Sequence, residues 1–89
     1  MYAVLVQVSI NDGGSAEQEL RERVVPHVAS APGFVAGYWT RSEDGSNGRS
    51  MLVFESKDAA QQLADAMAAN VPQGVTFESA EVREVIANA

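Results

Sequence analysis

Residues 31–39 read Ala31-Pro32-Gly33-Phe34-Val35-Ala36-Gly37-Tyr38-Trp39. A helix-like pattern stops at the Pro-Gly pair and a strand-like pattern begins directly after it. A second junction, Phe54-Glu55-Ser56, ends another strand and opens another helix. Between and around them the order of elements is strand, helix, strand, strand, helix, strand. That order is a split βαβ pair. It predicts an α+β, ferredoxin-like βαββαβ domain, a four-stranded antiparallel sheet with two helices on one face.

Working outward, Tyr2–Ile10 is rich in Val and Ile, with Val4, Val6, Val8 and Ile10 on one face of a strand. Asn11-Asp12-Gly13-Gly14 breaks it. Ser15, with Gln18 three residues on, matches a capping box. Ala16, Leu20, Val24 and Val28 then follow at four-residue spacing along an amphipathic helix. Pro26 removes a backbone donor and clashes one turn back, so a kink or break is expected between Glu22 and Pro26. Strand two, 34–42, alternates Phe34, Ala36, Tyr38 and Thr40 against Val35, Gly37, Trp39 and Arg41. The polar, glycine-containing stretch 43–48 makes a hairpin to strand three, 49–55. Both faces of strand three are apolar, which predicts a central position. Ser56 caps the second helix, whose stripe is Ala60, Leu63, Ala64, Met67 and Val71. In strand four, 75–86, Phe77 and Ala80 are out of phase, which predicts a bulge near 79–83.

Eighty-nine residues make one domain, 1–89, with a thin core; a chain this short buries only roughly 60–65% of its unfolded surface. It has no cysteine, so no disulfide or thiolate-bound metal supplements that core. Twelve acidic residues against six basic ones give a net charge of −6, a field that repels a phosphate backbone. Nucleic acid is not an expected partner. The first strand lacks a basic leader and is broken by Gln7 and Ser9, so it is read neither as a signal peptide nor as a membrane segment, and a cytoplasmic location is expected. The sheet face away from the helices would carry Leu5, Met51, Val53, one of Tyr38 or Trp39, and Phe77 or Val82. That is more apolar surface than a monomer normally exposes. The simplest cover is a second copy of the chain.

With these features the chain resembles the dimeric α+β barrel superfamily, and within it the antibiotic-biosynthesis-monooxygenase-like domains. The matching residues are Val25-Pro26, Ala31-Pro32-Gly33-Phe34, Tyr38-Trp39 and Leu52-Val53-Phe54-Glu55-Ser56. The resemblance spans nearly the whole chain and implies a homodimeric dimeric α+β barrel. It covers cofactor-independent monooxygenases, haem-degrading enzymes, isomerases and stress-responsive proteins. Haem-degrading members resemble one another in an Asn on strand one, a Trp before the acidic residue ending strand three, and a His on the second helix. Here Gln7 and Phe54 stand at the first two places, and the second helix has no His.

Five residues are candidates for a pocket wall: His27, Tyr38, Trp39, Phe54 and Met67. His27 is the one imidazole and adjoins the buried stripe, where it acts as a base at a pocket mouth or simply as a surface residue. Tyr38 and Trp39 face opposite sides of their strand, one under the helices and one in the interface. Phe54 and Met67 either share a cavity wall or fill the core. Arg41, Arg49 and Arg83 are expected to pair with Glu43, Asp44 or Glu81. No residue is assigned a catalytic role, and no metal ligand set is present. The expected function is a small homodimeric monooxygenase-like protein that binds a small apolar or aromatic metabolite. If it is an oxygenase, the resemblance implies no cofactor, with the substrate itself supplying electrons to oxygen. A non-catalytic stress-response or interaction module of the same fold is the alternative. A cavity beside Trp39 or Tyr38 favours the first reading, and a filled interior the second.

Overall fold

The computed structural model describes residues 1–89. The chain runs β1 (Tyr2–Ile10), α1 (Gly13–Glu19), a π-helical segment (Leu20–Val24), α2 (Val25–Ala29), β2 (Phe34–Arg41), β3 (Asn47–Phe54), α3 (Lys57–Ala69) and β4 (Val75–Glu84). The strands form one antiparallel sheet in the order β2-β3-β1-β4. α1, the π segment and α2 form one continuous bent helix, so the expected ferredoxin-like arrangement of two helices over four strands is present. No helix is long and apolar enough to cross a membrane.

β1 occupies the centre because it pairs along its whole length on both sides. Val4, for instance, stands between Leu52 of β3 and Val82 of β4. Val4, Val6, Leu52 and Phe54 meet Val28 of α2 and Ala60, Leu63 and Ala64 of α3 in a fully buried cluster. Phe34 closes its edge, ring edge to ring face with Phe54 at 5.8 Å and 75°.

Each edge strand carries one extra residue. In β2, Phe34 pairs with Phe54 but Ala36 pairs with Val53, leaving Val35 bulged. In β4, Ser79 pairs with Gln7 but Phe77 with Val8, leaving Glu78 bulged. The second bulge lies one residue before the expected 79–83 and brings Phe77, Ala80 and Val82 onto the helix side together. The first was not expected, and it corrects the face assignment in β2. Phe34 shares the helix side with Gly37 and Trp39, while Ala36, Tyr38 and Thr40 face away.

The helix caps also differ from expectation in one place. Asp12, not Ser15, caps α1, its carboxylate accepting the Ser15 backbone N–H at 3.2 Å. Ser56 caps α3 as expected, accepting from the Ala59 N–H. The strain of Pro26 is absorbed as a π turn rather than a break: the N–H of Val25 bonds to the carbonyl of Leu20, five residues back. β4 stops at Glu84, two residues before the expected end. Val85 still bonds to the Met1 carbonyl, but Ile86 is 91% exposed.

Two glycines hold the loops to the helices. Gly33 (φ 79°) is the third residue of the turn 31–34, closed by the Phe34 N–H on the Ala31 carbonyl, with Pro32 ahead of it. Gly74 (φ 84°) accepts from the N–H groups of Asn11 and Asp12, and a side chain there would meet the Ala16 nitrogen at 2.8 Å. The hairpin between β2 and β3 is tied by Asp44. Its carboxylate accepts from the Ser46 N–H (2.9 Å), the Ser46 hydroxyl (2.7 Å) and the Ser42 hydroxyl (2.8 Å). This closure starts β3 at Asn47, two residues earlier than expected.

The face away from the helices is left open. β1, β2 and β3 bring Leu5, Tyr38, Met51 and Val53 to it, with Tyr38 67% exposed. Neither Phe77 nor Val82 joins them. The bulge at Glu78 turns both toward the helices, and β4 presents Ser79, Glu81 and Arg83 instead.

Gly74→Ala combines left-handed backbone with a backbone clash and should destabilise the protein by about 2 kcal/mol in urea unfolding. Gly13→Ala meets nothing within 4 Å and should leave stability equal or higher. The Asp44 carboxyl, held down to about 2 from 3.8 by the Ser46 backbone and side chain and then Ser42, should titrate near pH 2 by carboxyl NMR. Because its folded value is depressed, its contribution to stability is complete above about pH 4 and disappears as the pH falls through about 2.

Candidate functional site

The first helix does not close fully on the sheet. Val28 is buried, but no residue of α1 or of the π segment is. Under that stretch lies a cavity of about 410 Å3. Its floor is the end of the sheet where β1 leaves and β4 enters, with Val6, Val8, Ile10, Val75 and Phe77. Its roof is Ala16, Leu20 and Val24, and its far wall is Met67, Val71 and Pro72. Twelve of the twenty-one residues around it are hydrophobic. Three residues of the π segment, Leu20, Arg21 and Val24, line it. The wider turn that accommodates Pro26 therefore shapes the roof.

Trp39 forms the wall on the β2 side. Its ring lies over Gly37, where a side chain would come within 3.0 Å of the indole, and against Leu52. Its Nε1 is buried and has no hydrogen-bond partner. Ser50, directly across the strand pair from Trp39, also lines the cavity. An indole nitrogen is only a donor, so this buried N–H carries a desolvation cost inside the wall.

At the rim stand Glu17, Arg21 and Arg41. Arg41 Nη1 lies 3.3 Å from Glu17 Oε1, and Arg21 Nε 3.7 Å from Glu17 Oε2. Arg41 therefore bridges β2 to α1 rather than pairing with Glu43 or Asp44, whose carboxylates belong to the hairpin. Arg83 pairs with Glu81 at 3.1 Å, as expected. These are exposed pairs, each worth at most about 1 kcal/mol.

Of the five residues singled out from the sequence, the structure places Trp39 and Met67 together in the cavity wall. Phe54 is fully buried against Phe34, in the core beside it. Tyr38 is on the opposite side of the sheet, in a separate open depression with Leu5, Gln7, Met51 and Glu81. His27 is exposed on the outer side of α2, away from the cavity. Glu17, Leu20 and Arg21 were not singled out. The four-residue spacing marked Leu20 as buried stripe, and nothing local shows that the helix stands off the sheet there.

No protein-family model and no curated protein matches the chain in sequence. Solved structures do match it in fold. SnoaB, a cofactor-independent oxygenase from Streptomyces nogalater, superposes with a TM-score of 0.71 at 17% identity, covering 98% of this chain and 94% of its own. A dimeric ferredoxin-like protein from an uncultured marine organism gives 0.61 at 10% identity, with 100% and 98% covered. A single-residue mutant of MhuD, with two manganese protoporphyrins bound per active site, gives 0.62 at 22% identity, with 100% and 98% covered. The chain has the ferredoxin-like α+β fold of these structures.

Trp39→Ala should cost roughly 3 kcal/mol, the lower end for a truncated large aromatic because the ring is only half-buried. Phe54→Ala should cost roughly 3–5 kcal/mol, and His27→Ala should stay within about 0.5 kcal/mol of wild type. Urea unfolding of the three variants measures the order.

Proposed function

We propose that this protein binds a small apolar or aromatic metabolite in the cavity between its first helix and its sheet, as a homodimer. The observation that carries the reading is the cavity itself: about 410 Å3 walled by aliphatic side chains, Phe77 and the single tryptophan, with Ser50 and Thr40 in the wall and Glu17 and Arg41 at the rim. Small-molecule sites have this form, mostly apolar with a few convergent polar groups. A non-catalytic module with a filled interior fits less well. SnoaB supplies a precedent for cofactor-independent oxygenation on this fold. Carried to this chain, the bound substrate would give up a proton and donate its own electrons to oxygen. Glu17 is the one carboxylate in the wall able to accept that proton.

Haem is not the ligand proposed for this cavity. Its wall holds no imidazole, thiolate or phenolate, and the thioether of Met67 is its one group of a kind that takes an axial position on haem iron. Gln7 faces the open side of the sheet, in the depression with Tyr38. Reduced haemin is accordingly expected to show no loss of its Soret band in the presence of the protein.

The dimer reading rests on the open face. Leu5, Tyr38, Met51 and Val53 lie together there with nothing over them, in a chain whose core is thin. The marine ferredoxin-like protein is itself dimeric. Sedimentation equilibrium at micromolar concentration should give twice the chain mass of 9.5 kDa, and Met51→Asp should return it to the monomer. A monomeric wild type would overturn the dimer. Mass spectrometry of the native protein should detect a co-purified small molecule. Ala16→Phe, which fills the cavity, should remove that molecule without unfolding the chain. Retention of the molecule in the filled variant would place it elsewhere.

A further inference from the structure

The charge at the cavity rim has the opposite sign to the charge of the chain. The protein carries twelve carboxylates against six cationic side chains, yet the cavity wall includes three arginines and one glutamate. Arg49 sends its side chain to the open face, since it pairs with Gln7 and Thr40. Arg21 and Arg41 remain, one on the helix and one on the strand, both leaning on Glu17 at 3.7 and 3.3 Å. One carboxylate cannot neutralise two guanidiniums, and arginine keeps its charge at any physiological pH. The rim therefore holds one uncompensated positive charge above an apolar cavity.

We propose that the ligand of this cavity is an amphipathic organic anion, with a compact ring body and one carboxylate or similarly charged oxygen group. This rests on the reading of the cavity as a ligand site and adds the chemical class. The ring body takes the place between Leu20, Val8, Phe77 and Met67. The charged oxygens lie at the rim, against Arg41 and Arg21, in the fork geometry that guanidinium offers to a carboxylate. A cationic ligand would meet two arginines. A neutral hydrocarbon would fill the cavity but leave the charge at the rim unmatched.

Three probes of one shape separate these cases: 2-naphthoate, neutral 2-naphthamide and cationic 2-naphthylmethylammonium, titrated calorimetrically at low salt. Naphthoate should bind about tenfold more tightly than the amide, the scale of one charge-assisted hydrogen bond, and the ammonium most weakly. Arg41→Gln should bring naphthoate down to the amide's affinity, whereas Glu17→Gln should tighten it further. Both residues are exposed, so both variants should keep the wild-type urea midpoint. Equal binding of naphthoate and amide, a preference for the ammonium, or weaker naphthoate binding by Glu17→Gln would overturn the anion and leave the apolar site standing. Absence of binding by all three up to millimolar concentration would overturn the ligand site as well.

Discussion

Trp39 reaches the helix side of the sheet in company with Phe34 only because β2 holds one residue too many. The two are five positions apart, an odd number, so a regular strand would send them to opposite faces. The bulge at Val35 reverses the phase between them. Phe34 then packs on Phe54 at one end of the strand and Trp39 walls the cavity at the other. The bulge at Glu78 does the same on the far edge, bringing Phe77 to the cavity floor and Ala80 and Val82 to the core. Neither extra residue lies in β1 or β3, whose pairing with each other is unbroken. The rigid centre and the adjusted edges together decide which side chains the helices meet.

The helix over this sheet obeys a similar compromise. Pro26 has no N–H to offer one turn back, and the five-residue π segment before it takes up the mismatch. The segment widens the helix where Leu20 and Val24 face the cavity. The cavity is thus a product of local backbone chemistry in the roof as much as of side-chain size in the floor.

Much of the fold was legible in the sequence because punctuation and period agree. The Pro32-Gly33 turn, the Ser56 cap, the Asn11–Gly14 break and the two-residue alternation each mark one boundary, and the structure follows them to within two residues. Legibility fails where phase depends on a partner strand. A bulge is a relation between two strands, so Val35 leaves no mark in β2 alone. The phase conflict between Phe77 and Ala80 did show the other bulge, because both lie in one run of residues. For the candidate site, Trp39 and Met67 could be marked as large apolar residues at strand and helix positions. The rim of Glu17, Arg21 and Arg41 could not, since Arg41 meets Glu17 from twenty-four positions away. Asp12 displaced Ser15 as cap for a comparable reason: the loop around Gly74 docks on the start of α1 and fixes where the helix begins.

The strand order has a consequence for how the chain is made. β1 precedes both of its partners in the chain and is enclosed only when the second of them pairs. Its partners begin at Asn47 and Val75, so neither edge can pair before β3 is made, and the second stays open until β4 follows. Closing so wide a loop is entropically costly and slow compared with forming the β2–β3 hairpin or α3. A nascent chain therefore carries Val4-Leu5-Val6, a β-prone apolar tripeptide, with one strand edge open until β4 is made. The sheet is completed only once β4 has been made, and folding yield depends on what shields the β4 edge of β1 until then.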